Sequence, residues 1–326
     1  MVVSAAPKNL EIYWIDVEGG AATLLVTPAG ESLLVDTGWR RDDGRDAKRV
    51  QEVATKHAGL KKLDYLMTSH FHMDHVGGLA AVARLLPVGK FIDHGDRVET
   101  RPGADAENWE VYQKLSAGKR LTLKPGDKVP LKGLDVTVVT SHGEGLSRPI
   151  NGGGPNEALC KNAVLKKHDP GENARSIGFL LSMGKFQFLD LGDLSWNKEH
   201  EIACPQNVIG QVDLYQVTHH GMDMSGAPQH VWAIRPQVAV MNNGPRKGGT
   251  PGFYEVLKKS PGIEDIWQVH LALATDKDHN TAETKIANLD PEDQCQGHWL
   301  KAEVESNGRY TISNSRSKHR QSYTAR

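Results

Sequence analysis

The chain is 326 residues long and nearly neutral, with 39 basic and 40 acidic side chains and a net charge of −1. Hydrophobic residues make up 38% and charged residues 24%, an ordinary globular balance that excludes wholesale disorder or a fibre. The near-zero charge argues against a general nucleic-acid coat or a polybasic membrane binder, and no run approaches the roughly 18 apolar residues of a membrane helix.

Residues 10–17 alternate apolar and other side chains and predict a strand. Residues 22–27 and 32–36 predict two more, joined by a turn at Pro28-Ala29-Gly30. Over residues 46–58, Ala47, Val50, Val53 and Ala54 share one face, the spacing of an amphipathic helix closed by Gly59. Residues 63–68 predict a strand that runs directly into Ser69 and His70. A helix over 79–86 is stopped by Pro87, and 90–93 is a further strand. The polar stretch at about 95–130 reads as an insertion with one helix near 106–115.

The pattern then repeats in part. Residues 134–140 form a strand ending at Ser141-His142, 177–183 and 186–191 a hairpin around Gly184, and 212–218 a strand running into His219-His220. Helices at 227–234 and 251–259, strands at 238–241 and 266–271, and a last edge strand at 310–313 complete the second half. Two such halves imply an α/β fold, a four-layer αββα sandwich of two mixed sheets flanked by helices. No linker divides the chain, so residues 1–326 read as one domain. It carries the insertion, a Gly/Asn/Pro-rich loop at about 143–171 over the site, and a C-terminal extension at about 245–326.

Residues 1–7 lack a basic start and an apolar stretch, so the expectation is a soluble protein, either cytoplasmic or exported with its signal peptide already removed. The three cysteines, Cys160, Cys204 and Cys295, are read as ordinary thiols rather than as one bridge with a thiol left over.

Fifteen histidines is a high count, and several gather beside Asp and Gly at predicted strand ends. The densest run is His70-Phe71-His72-Met73-Asp74-His75-Val76-Gly77-Gly78, after a strand and before a helix. In extended chain His70 and His72 project to the same side, while Asp74 and His75 follow where the chain turns. Four ligand-type side chains in six positions make two half-built metal sites rather than one. Imidazole and carboxylate are the donors of catalytic Zn²⁺ sites, which keep a position open for water. A solvated polar turn would explain a lone His-x-His, but not the complete pattern.

This run, with Thr68 before it, resembles the signature motif of the metallo-β-lactamase-fold superfamily of metal-dependent hydrolases. Leu33 to Gly38 resembles its first motif, Gly192-Asp193 the motif whose Asp bridges both metals, and Thr218-His219-His220-Gly221 the His-His-Gly ending of its ComEC-like branch. That branch is typified by the nuclease domain of DNA-uptake proteins, and phosphorylcholine-esterase-type enzymes look similar there. The resemblance covers about residues 10–245. It implies two Zn²⁺ ions, with Mn²⁺ or Fe²⁺ as alternatives, held by His70, His72 and His142 on one side and by Asp74 and His75 on the other, with Asp193 between them. Asp190 is the competitor of Asp193 but lacks the preceding Gly.

Adjacent side chains of an extended backbone point opposite ways, so one of His219 and His220 binds metal. The choice falls on His219, directly after the strand, without closing the alternative. His220 then either supports a ligand from behind or faces substrate, where it is the candidate leaving-group acid, and Asp74 and His220 are the candidate catalytic groups. Asp36 is expected to accept a hydrogen bond from a ligand histidine or from the loop, fixing its orientation. Asp93, His94 and His279 are pocket candidates.

Two cations about 3.5–4 Å apart can bind one water between them and lower its pKa to about 7, so no Ser or Cys nucleophile is needed. No Gly-x-Ser-x-Gly elbow or phosphate-binding loop motif is present. The expected activity is hydrolysis of a phosphodiester or related ester. A lactone or β-lactam hydrolase on the same metals, or an iron-dependent dioxygenase of the same fold, is the alternative. Arg97, Arg101, Lys114, Lys119 and Arg120 form only a modest basic cluster, so a small-molecule or phosphodiester substrate is favoured over long nucleic acid. No membrane partner is expected, and the oligomeric state stays open.

Overall fold

The computed structural model describes residues 9–100, 102–291 and 294–326; the leader reading of residues 1–7 and Arg101 of the basic cluster fall outside them. The first sheet begins with β1 (Leu10–Trp14), β2 (Thr23–Val26) and β3 (Ser32–Val35) as an antiparallel meander. β4 (Leu63–Met67), β5 (Val88–Asp93) and β6 (Arg120–Thr122) then add in parallel beyond β3. Side chains alternate as the strand period demands. In β1, Ile12 and Trp14 enter the core between the sheets, while Tyr13 faces the outer helices.

α1 (Arg45–Glu52), α2 (Met73–Val76), α3 (Leu79–Leu85) and α4 (Ala104–Ser116) belong to this half. α1 and α3, with Tyr112 of α4, cover its outer face. The expected face of Ala47, Val50, Val53 and Ala54 is the one buried there, and the helix finishes in a π-helical turn at Val53–His57. α4 lies within the expected insertion.

The second sheet contains β7 (Asp135–Ser141), β8 (Glu144–Gly145), β10 (Gly178–Met183), β11 (Phe186–Asp190), β13 (Leu214–Gln216), β14 (Val238–Met241), β15 (Asp265–His270) and β16 (Ile286–Asn288). β9 (Gly154–Pro155) and β12 (Gln206–Asn207) form a separate short pair. α5 (Glu157–Cys160), α6 (Trp196–Glu201), α7 (Pro228–Ile234) and α8 (Pro251–Lys258) accompany this half, and α7 and α8 pack Val231, Ile234, Phe253 and Leu257 on its outer face. From β11 to β16 successive strands are parallel. One apolar cluster lies between the sheets and one outside each, so the order is helix, sheet, sheet, helix.

The C-terminal region corrects one expectation. Residues 310–313 belong to β18 (Arg309–Asn314), which is not an edge: β17 (Leu300–Val304) pairs it with β1, and β19 (Arg320–Thr324) flanks its other side. Tyr310 stacks on Tyr323 at 5.1 Å, continuing the inter-sheet core.

The cysteine reading is corrected too. Cys160 and Cys204 form a disulfide with Cα atoms 5.7 Å apart, and Cys295 is the free thiol. The bridge ties α5, within the 143–171 loop, to the chain after α6. Among the described residues, no helix is long and apolar enough to cross a membrane.

β3, β4 and β5 are parallel neighbours, as are β11, β13 and β14. Segments leaving their C-terminal ends therefore collect at one end of each sheet, the usual place for ligands in α/β folds.

Candidate metal centre

β4 is flanked by β3 and β5 and delivers Thr68, Ser69 and His70 into the interior. One turn of helix, α2, then presents Asp74 and His75. Gly77 and Gly78 have ordinary helical angles (φ −61° and −78°), so close approach requires them. A Cβ on Gly77 would lie 2.2 Å from the Met73 carbonyl oxygen, and one on Gly78 would lie 2.1 Å from that of Thr37.

The second sheet supplies the facing groups. Gly192, at φ 57°, turns the chain after β11 so that Asp193 enters the centre; a Cβ there would press on Ser69 at 2.9 Å. After β13, His219 and His220 are both left-handed, at φ 54° and 55°. Each such non-glycine conformation costs on the order of 1–3 kcal/mol and persists only where surroundings impose it. Hydrogen bonds from His219 N to Gly192 O (3.0 Å) and from Gly249 N to His220 O (2.9 Å) impose it here.

The result corrects the reading of this pair. The backbone is not extended, and both rings reach Asp193: His219 Nε2 is 3.3 Å from Oδ2 and His220 Nε2 is 3.4 Å from Oδ1. His220 Nε2 also lies 3.3 Å from Asp74 Oδ2 and 3.2 Å from His75 Nε2. Donor atoms of Asp74, His75, Asp193 and His220 all fall within 4.8 Å of one another, so His220 joins this group rather than standing apart as an acid facing substrate. His219 instead touches Ser225 Oγ through Nδ1 at 3.1 Å.

Beside this group, His70 Nε2 and His72 Nδ1 face each other at 3.0 Å, and His70 Nε2 is 4.0 Å from Asp193 Oδ2. Asp193, a member of the cluster, thus also approaches the pair. His142 is less closely placed: it follows β7 with φ 51°, is exposed, and its ring lies 6.2 Å from that of His94.

Asp36, itself at φ 62°, accepts from Ser69 N (2.7 Å) and Ser69 Oγ (2.6 Å), and its Oδ2 lies 2.7 Å from His75 Nδ1. That leaves His75 Nε2 directed at Asp74 and Asp193, each at 3.2 Å. Asp93 is not a pocket group: Arg120, Tyr112, Thr122 and Gly95 N all donate to its buried carboxylate. His94 is buried against Phe71 and bonded to Glu172. His279 does not reach the centre; its ring bonds Asp276, the residue that caps its own turn, and leans on Tyr254.

Three further residues carry no motif. Lys247, in the loop after β14, places its ammonium on Asp74 Oδ2. Glu99 lies 3.2 Å from His72 Nε2. Glu172 accepts from the Phe71 and Val98 amides beside the histidine run. Gly and Lys in residues 244–249 are a weak signal for the first, and nothing local points to the others.

The electrostatics favour cations. Burial would raise the carboxyls of Asp74 and Asp193, but His75 beside the first, and His219, His220 and His75 beside the second, hold both well below the usual range. Burial opposes charge on His75, yet Asp193, Asp74 and Asp36 lift it well above the ordinary value. Burial pushes His219 down to about 4 and Asp190 up to about 7. Asp190 points its carboxylate to Gly192 N and is not in the cluster. A buried set of imidazoles and carboxylates with a lysine ammonium resting on it fits divalent cations, on donor chemistry alone.

Residues 15–155 match the family model described as the Metallo-beta-lactamase superfamily. The chain is similar to Recombination protein 2 of Haemophilus influenzae, 25% identical over 236 residues, which is 72% of this chain and 24% of that protein. A UPF0173 metal-dependent hydrolase of Cupriavidus taiwanensis is 23% identical over 261 residues, 76% of this chain and 79% of the relative. Ribonuclease Z of Methanopyrus kandleri is 32% identical over 124 residues, 37% of this chain and 39% of that one. The chain thus spans less than two thirds of the first and third of these relatives. Taken with the four layers and the histidine run at the end of β4, the match shows that the chain contains a metallo-β-lactamase superfamily domain.

Proposed function

We propose that the chain is a metal-dependent hydrolase that uses two zinc ions and acts on a phosphodiester or related ester. The observation that carries this reading is the convergence of Asp74, His75, Asp193 and His220 within 4.8 Å, with the facing His70–His72 pair approached by Asp193. His70 Nε2 and His72 Nδ1 would hold one ion, with His142 as a third donor if its loop closes; Asp74, His75 and His220 would hold the other, and Asp193 would serve both. When bound, such ions supply an acidified water at neutral pH and an electrophilic contact for a developing oxyanion.

The chain's own groups do the rest. Asp36 fixes the tautomer and direction of His75 by taking its Nδ1 side. Lys247 carries a cation at the centre, and its ammonium is 5.3 Å from the Trp39 ring centre. Trp39, Arg40, Arg41 and Arg84 line a cavity of about 360 Å³ that also borders Val76 and Gly77. A second cavity of about 440 Å³ is lined by Lys166, Asn173, Ser195, Trp196 and Met224. The Lys247 cation at the centre favours an anionic ester over a neutral lactone, and the names of the relatives, a metal-dependent hydrolase and a ribonuclease, agree with that order.

Zinc-loaded protein assayed on bis-p-nitrophenyl phosphate, an acyl-homoserine lactone and nitrocefin tests the order. Diester cleavage is expected. Turnover of the lactone or nitrocefin with none of the diester would reverse it, and one iron per chain would point to the dioxygenase instead.

A further inference from the structure

A second group of donor atoms lies apart from the strand-end centre. One ring nitrogen of His270, one carboxylate oxygen of Asp16 and Sγ of Cys295 fall within 4.8 Å of one another. Asp16 follows β1 in the first sheet, His270 ends β15 in the second, and Cys295 lies in the connection from β16 to β17. Three distant parts of the chain meet there.

The imidazole is the informative member. His270 is fully buried. Its Nδ1 lies 3.1 Å from the Leu271 carbonyl oxygen, a bond that only a protonated Nδ1 can donate. The neutral ring then carries its lone pair on Nε2, and among the described residues Nε2 has no hydrogen-bond partner. A buried polar atom left unsatisfied costs about 1–3 kcal/mol. A backbone carbonyl that fixes the tautomer and frees the other nitrogen is also the arrangement that prepares a histidine for a metal.

The other donors match. Cys295 Sγ donates to Asp16 Oδ2 at 2.9 Å and lies 3.4 Å from Asn288 Oδ1. Asn288 is paired with His270 across β15 and β16, and its amide nitrogen is committed to the Val269 and His298 carbonyls, which turns Oδ1 inward. Arg49 also touches Asp16 Oδ2, at 3.1 Å, but it shares its charge with Glu18 at 3.3 Å and its other arm with the Cys295 carbonyl. Removing the thiol proton frees a lone pair on Oδ2 without displacing Arg49.

We infer that Asp16, His270 and Cys295, with Asn288 Oδ1 as fourth donor, form a separate zinc site that clamps the first sheet to the second. One thiolate, one carboxylate, one imidazole and one amide oxygen give a closed four-donor set of mixed N, O and S, the set of a structural zinc. Binding breaks the Cys295 S–H bond and forms an S–metal bond, and the proton leaves to solvent. Two negative donors balance the double charge of the ion. Because binding releases the Cys295 proton, site loading falls as pH drops.

Titration of the full chain with Co²⁺, without reductant, tests this. The strand-end centre holds no sulfur, so a thiolate-to-cobalt charge-transfer band in the near ultraviolet reports Cys295 alone. One equivalent of that band per chain is expected, lost in Cys295→Ser, reduced or lost in His270→Ala, and kept in His220→Ala. Cobalt d–d absorption from the strand-end centre with no thiolate band would overturn the inference and leave a water on His270. A thiolate band in the native chain with no cobalt absorption left in Cys295→Ser would uphold it and count against the hydrolase reading. Should the variants fail to fold, alkylation of Cys295 in the native chain decides: zinc should slow it at least tenfold, with EDTA restoring the rate, and an unchanged rate would overturn the site.

Discussion

His75 and His230 are both enclosed, yet they lie in regions that treat a proton oppositely. His230, on α7 against the second sheet, has no partner for either ring nitrogen among the described residues, and burial alone pushes it down to about 3. His75, at the strand ends, suffers the same burial, but Asp193, Asp74 and Asp36 surround it and carry it well above its ordinary value. Enclosure therefore does not mark a functional histidine here. Converging carboxylates do, because they make a buried region that gains by holding positive charge.

The sharpest way to break that contrast is to remove the carboxylate shared by the two halves of the centre. Asp193→Asn should lower turnover by on the order of a thousandfold and reduce zinc content, measured by kinetics and elemental analysis on the same preparation. Next comes the pair after β13. His220→Ala should remove metal and activity together, whereas His219→Ala, which leaves the Asp74–His75–Asp193–His220 group intact, should cost less. Equal losses would restore His219 to the ligand role. Asp36→Asn should weaken metal affinity by about 10–100-fold through misdirection of His75, with the fold intact by circular dichroism.

The smallest effect lies on the other side of the contrast. His230 has a folded pKa depressed from 6.5 to about 3, so in that window the unfolded chain binds the extra proton and stability falls as pH falls. His230→Leu should flatten the urea-denaturation slope by up to about 1.4 kcal/mol per pH unit between pH 6 and 4. An unchanged slope would show that His230 already holds a partner.

Legibility followed locality. The run His70 to Gly78 was readable because strand, turn and short helix are consecutive in the chain. Asp193 was readable from the glycine before it, and Asp36 from its place at the end of a strand. The His219–His220 choice is not legible because side-chain alternation assumes extended backbone, whereas two left-handed residues in succession are held by groups from residues 192 and 249. Asp93 resembles a site residue in sequence but spends its carboxylate on Arg120 and Tyr112, partners from the insertion. Lys247, Glu99 and Glu172 arrive from loops without motifs. The Cys160–Cys204 bridge spans 44 residues, a pairing that spacing alone does not specify, and β17 and β19 carry charged residues that mask their alternation.

Zinc content of the Cys295→Ser chain decides the main claim most directly, since it counts the strand-end centre alone. Two ions per chain are expected, with fewer in the same chain carrying Asp193→Asn. No stoichiometric zinc, or a content indifferent to Asp193, would contradict it.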